Sequence, residues 1–156
     1  MKFINIAVFT SLFATASMAA PQPRQTFCAE AARFGVMQIV PTDLVPGSWY
    51  TLHTDFSCGI SKGVTPKYLD YYLEVPAGLN NGHQPPILIA RREFAPPSTS
   101  NPDASLTFTA QIPEWGGFFP NSSYMITLRN SFIQHTTDGQ EIYLVGGTEM
   151  PINLTT

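Results

Sequence analysis

Charge is scarce in this sequence: Asp, Glu, Lys and Arg make up only 12% of its residues, against 44% hydrophobic ones. Lys and Arg together number 8, and Arg91-Arg92 is the only adjacent basic pair. With no basic patch to track a phosphate backbone or an anionic bilayer, nucleic acid and membrane surfaces are not expected as partners. Histidine occurs 3 times, at His53, His83 and His135, and cysteine twice. Ligands this few and scattered suggest no zinc or copper site. No G-x-S-x-G elbow is present, and Gly116-Gly117 and Gly146-Gly147 lack the downstream lysine of a phosphate loop. No metal, cofactor or catalytic residue is therefore expected.

What is present begins with MKFINIAVFTSLFATASMAA: a basic Lys2, an apolar stretch from Ile4 to Phe13, and small residues at Ser17 and Ala19. This is the pattern of a cleaved secretory signal over residues 1–19, with Ala14-Thr15-Ala16 as a second possible cleavage box. The apolar stretch falls well short of the roughly 20 residues that span a bilayer. The remaining chain of about 137 residues suits one domain with a real core. Lys2 leaves with the signal, so its net charge is about −4. The terminal EMPINLTT has no lipid-attachment tail, and a released, unanchored product is expected.

Secretion passes Cys28 and Cys58 through an oxidising compartment, where one disulfide between them is the economical expectation. It would tie an arm at residues 20–33 to a domain at 34–156. Asn121-Ser122-Ser123 and Asn153-Leu154-Thr155 are acceptor sequons for N-glycosylation in a eukaryotic host.

Period-two alternation dominates the domain. In ASLTFTAQI, Leu106, Phe108, Ala110 and Ile112 fall on one face and Thr107, Thr109 and Gln111 on the other, the pattern of a half-buried strand. Leu69, Tyr71, Leu73 and Val75 repeat it, with Tyr68, Asp70, Tyr72 and Glu74 opposite; Tyr124, Ile126 and Leu128 repeat it again. Strands are predicted over residues 34–40, 48–56, 68–75, 86–92, 104–112, 123–129 and 140–145, separated by Pro-, Gly- and Asn-rich turns. Asp138-Gly139 reads as a hairpin turn. A short helical turn is expected near Ala29 to Arg33. About seven strands, each with one wet and one dry face, point to an all-β, two-sheet sandwich, with a closed barrel as the alternative.

Candidate chemistry is thin. Asp70 and Glu74 share a strand face, but their backbones lie roughly 13 Å apart, beyond the spacing that flanks a scissile bond. In VPGSWYTLHTDFSC, His53 and Asp55 share one face, while Ser48 points to the other and makes a poor nucleophile for them. The alternation puts Tyr50, Leu52, Thr54 and Phe56 on the core side and leaves Trp49 at the edge. Recognition is the better prospect. Trp115, Phe118 and Phe119 in IPEWGGFFPNSSY form either an exposed contact surface or a plug over the end of the core. Trp49, Tyr68 and Tyr72 make a second candidate platform if their strands are neighbours.

MQIVPTDLVPGSWYTLHTDF and LTFTAQIPEWGGFFPNSSYMITLRN resemble the Ig- or fibronectin-III-like domain of fungal Ser/Thr-rich GPI-anchored wall proteins, similar to the N-terminal domain of yeast cell-wall β-1,6-glucan assembly proteins. The matching features are Pro41, Gly47, Trp49, Tyr50, Phe108, Pro113 and Tyr124, over roughly residues 34–130. The chain departs from that family in lacking a Ser/Thr-rich stalk and a GPI signal. The resemblance implies an Ig/fibronectin-III-like fold and an extracellular, wall-associated setting, and supplies no catalytic residue. Together these readings lead to a secreted non-catalytic recognition or structural module, with cell-wall polysaccharide or an extracellular protein as partner. A protein-binding effector or inhibitor and a small secreted hydrolase are the alternatives.

Overall fold

The computed structural model describes residues 28–80, 84–99 and 102–156. The expected signal over residues 1–19, the expected arm before Cys28, and His83 lie outside the described residues. All seven alternating stretches form strands, and a short eighth joins them: β1 (Val36–Val40), β2 (Asp43–Leu44), β3 (Trp49–Asp55), β4 (Pro66–Glu74), β5 (Ile87–Glu93), β6 (Ser105–Gln111), β7 (Tyr124–His135) and β8 (Glu141–Leu154).

The strands form two sheets, β1-β3-β6 and β2-β8-β7-β4-β5. No ladder joins the two sheets among the described residues, so the arrangement is a sandwich and not the closed barrel. All pairs are antiparallel except β2 with β8. Three strands facing a sheet built around a long hairpin is the Ig/fibronectin-III type of two-sheet architecture.

The alternation read from sequence is the core. Met37, Ile39, Tyr50 and Leu52 of the small sheet are buried, as are Leu69, Tyr71, Leu73, Ile126 and Leu128 of the large one. Burying each such side chain contributes roughly 1.5–3 kcal/mol. Two contacts tie the layers directly: Tyr71 meets Phe108 edge to face at 5.0 Å, and its hydroxyl lies 3.1 Å from Thr54 Oγ1. The second contact explains a polar residue in the core face of β3. Burial also pushes the Tyr71 phenol up to about 12.

Several connections fix the frame. At the cis Val40-Pro41 bond the chain leaves β1 and crosses to the other sheet, where β2 runs parallel to the end of β8. After β3, a helix α1 (Ser57–Ser61) carries Cys58 to Cys28, and the disulfide is formed with its Cα atoms 5.3 Å apart. The turn expected near Ala29 is a short 3-10 helix over Glu30–Ala32, and Glu30 pairs with both Arg33 and Lys62. The β7–β8 turn is a type I turn with glycine in the left-handed region: Gly139 (φ 82°) donates to the Thr136 carbonyl, and Thr136 N–H donates to that of Gln140.

Tyr124, at the start of β7, is a tyrosine corner in function. Its hydroxyl accepts the Phe119 N–H five residues upstream at 2.8 Å and donates to Gln84 Oε1 at 2.7 Å. Strands β7 and β8 run past their predicted ends. Asn130 breaks the apolar pattern yet faces inward, fully buried, donating to the Phe34 carbonyl.

Candidate functional site

The large sheet turns Tyr68, Asp70, Tyr72 and Glu74 of β4 outward, as their alternation with Leu69, Tyr71 and Leu73 requires. Register then decides their neighbours. Across the face, Arg91, Asp70, Arg129 and Gly147 line up from β5 to β8, and Leu88, Tyr72, Thr127 and Glu149 form the next row. Tyr68 sits opposite Ser131 on β7, and Tyr143 of β8 is one step away on the far side of that strand. Serine is small enough for the two rings to lean together over it. They stand nearly parallel, at 22°, with centroids 6.5 Å apart.

Lys67 completes this pair. Its Nζ donates to the Tyr143 hydroxyl at 3.0 Å and lies 5.5 Å and 5.4 Å from the Tyr68 and Tyr143 ring centres. The hydrogen bond to Tyr143 raises the Lys67 pKa above its ordinary value. Both tyrosines remain exposed, at 42% and 51%. Alongside, Arg91 grips Asp70 through two hydrogen bonds of 2.6 and 2.9 Å, which holds the Asp70 carboxyl below its ordinary range. The Arg129 guanidinium covers Tyr72 at 4.5 Å and reaches Glu74 at 3.4 Å. The face is thus an aromatic pair beside a fixed array of donors and acceptors.

The other aromatics lie elsewhere. Trp49 is 64% exposed, but it belongs to the small sheet and points away from the opposite side of the sandwich. Trp49, Tyr68 and Tyr72 therefore do not form one platform: β3 and β4 are adjacent in sequence but lie in different layers. Phe118 is buried against Tyr124 at 5.6 Å and plugs the end of the core. Trp115 lies edge-on over it at 5.3 Å and keeps 43% exposure, while Phe119 is half-buried. Of these three, only Trp115 presents an open ring.

The residues considered for catalysis are engaged separately. Ser48 Oγ donates to the Val45 carbonyl, His53 Nδ1 meets Thr107 Oγ1, and Asp55 accepts the Ser57 N–H. Asp70 and Glu74 each face their own arginine. Among the described residues, no three His, Cys, Asp or Glu side chains come close enough to hold a metal ion, and no helix is long and apolar enough to cross a membrane.

Lys67, Arg129 and Tyr143 are the site residues that sequence reading did not single out. Each belongs to or adjoins a predicted strand, but their convergence depends on β7 lying between β4 and β8, which local alternation does not encode. No known protein-family model matches the chain, and no curated protein matches it significantly. The fold is compatible with a structural or binding module.

Proposed function

We propose that this protein is a secreted, non-catalytic recognition module that binds carbohydrate at a cell wall or other extracellular surface through the outer face of β4, β7 and β8. The carrying observation is the exposed Tyr68–Tyr143 pair with Lys67 at its edge. The apolar C–H face of a sugar ring stacks on such aromatics, while Asp70, Arg91 and Arg129 offer charged hydrogen-bonding groups to hydroxyls nearby. These partners are held by one another before any ligand arrives, which lowers the ordering cost of binding. Export is supported by the leader pattern at residues 1–19 and by the Cys28–Cys58 disulfide, a bond that persists in oxidising compartments. The wall setting rests on the sequence resemblance alone.

Co-sedimentation with insoluble β-glucan, chitin and mannan-rich wall fractions tests this reading. Saturable binding is expected, weakened at least tenfold by Tyr68→Ala and unchanged by Trp49→Ala, with both variants checked for folding by circular dichroism. Absence of binding to every fraction, or loss only in Trp49→Ala, overturns the assignment.

A further inference from the structure

Strand β8 is long, and only one of its edges is paired over most of its length. β7 runs beside it from Glu141 to Ile152, whereas β2 covers the opposite edge only at Asn153 and Leu154. β1 approaches that edge near Thr148 to Met150 without forming a ladder. From Glu141 to Gly147 no strand pairs with it among the described residues.

The direction of its backbone groups follows from the ladder. Thr136 N–H donates to the Gln140 carbonyl, so in the alternating antiparallel pattern the even-numbered residues of β8 bond to β7. The odd-numbered ones point outward, as Asn153 and Thr155 show by donating to Thr42 and Leu44 on β2. Glu141, Tyr143 and Val145 therefore direct their N–H and C=O groups to the open edge. Their neighbourhood is apolar on both faces: Ile142, Tyr143, Leu144 and Val145 are all exposed, Val145 at 66%. Natural edges are usually blunted by lysine, proline or a bulge. This stretch has none of these, and Pro151 comes only after it.

The geometry points to a second copy of this chain as the occupant, pairing β8 with β8 antiparallel about a two-fold axis at Tyr143. That register sets Tyr143 opposite itself, Glu141 opposite the partner's Val145 and Ile142 opposite the partner's Leu144. Each outward-facing pair exchanges two hydrogen bonds, about six in all. The two isoleucine–leucine pairs close on the inner face of the joined β8 strands, and the two five-stranded sheets become one continuous sheet. Charge selects this register over its neighbour. An axis at Val145 would oppose Glu141 to the partner's Glu149, and like charges directly opposite are destabilising. An axis at Tyr143 leaves Glu149 outside the overlap. The pairing is isologous and closes on itself, as a two-fold dimer must. It does not depend on the carbohydrate reading, although it brings both Tyr68–Tyr143 pairs onto one face.

Sedimentation velocity of the full mature protein from about 1 to 500 μM tests the pairing. The wild type is expected to dimerise. Tyr143→Lys opposes two ammonium groups on the axis and is expected to weaken self-association at least tenfold. Val145→Lys places each lysine opposite the partner's Glu141 and is expected to keep the dimer. Thermal melts confirm that both variants fold. A wild type that stays monomeric throughout, a dimer that survives Tyr143→Lys, or one lost in Val145→Lys overturns the inference. A monomer that instead adds an unrelated extended peptide along Glu141 to Gly147 overturns it too.

Discussion

Tyr124 donates its hydroxyl proton to Gln84 Oε1 across 40 residues of chain, and the Tyr124 hydroxyl oxygen in turn accepts the Phe119 N–H. Tyr124 and Gln84 are both buried, at 1% and 2% exposure, so water cannot replace a lost bond. Tyr124→Phe keeps the ring against Phe118 and removes the oxygen. It is expected to lower stability by about 1–3 kcal/mol, the range for leaving buried polar groups unpaired. Urea unfolding that shows the same midpoint as wild type would contradict this role.

Gly59 lies where α1 meets the N-terminal segment, and a Cβ there would come within 2.4 Å of the Arg33 carbonyl oxygen. Because the obstacle is backbone next to the Cys28–Cys58 bond, neither side can move cheaply. Gly59→Ala is expected to destabilise by roughly 1–3 kcal/mol. Gly116→Ala, which meets nothing within 4 Å, serves as the control and is expected to stay within about 0.5 kcal/mol of wild type in the same assay.

Alkaline stability should report the buried phenols. Tyr71 is raised from 10.0 to about 12, and Tyr50 is also raised, in both cases by burial. A raised folded-state value means the stabilisation is complete below pH 10 and is lost as pH climbs towards 12, because only the unfolded chain releases the proton in that window. Tyr71 alone accounts for a decline of about 2–3 kcal/mol. Melting temperature should therefore fall between pH 10 and 12, and less steeply in Tyr71→Phe. A profile that is unchanged by that substitution would exclude Tyr71 as a source.

The two sequons differ in their surroundings. Asn121 is exposed in a left-handed turn position, with φ of 59°. Asn153 donates its side-chain amide to Asp43 Oδ1 at 2.7 Å within the β2–β8 pairing. Glycopeptide mapping of protein from a eukaryotic host is expected to find higher occupancy at Asn121, and Asn121→Gln should remove most of the mobility shift. Predominant occupancy at Asn153 would reverse this ranking.

The strands were legible because alternation is local: Leu69, Tyr71 and Leu73 show a dry face whatever lies opposite. β2 was not, since two residues after Pro41 are too few to alternate. β8 read as ending near Val145 because Gly146-Gly147 resembles a turn. In the fold, those glycines make room instead, Gly146 for the Phe34 ring and Gly147 for the Leu128 carbonyl. The limit is sharpest at the site. Trp49 and Tyr68 look alike as outward aromatics on successive long strands, and only the division into two sheets separates them. Phe118 and Trp115 likewise differ by whether Tyr124 lies beneath the ring, a contact that depends on loop closure.

The parallel pairing of β2 with β8 also has a mechanical consequence. The Asn153 and Thr155 amides bind the Thr42 and Leu44 carbonyls on strands that run the same way. Tension pulling β2 toward its start and β8 toward its end drags these strands past each other, so both bonds bear the load together instead of parting in turn. The junction is thus built to resist shear between its two strands, well away from the tyrosine face and the unpaired edge of β8.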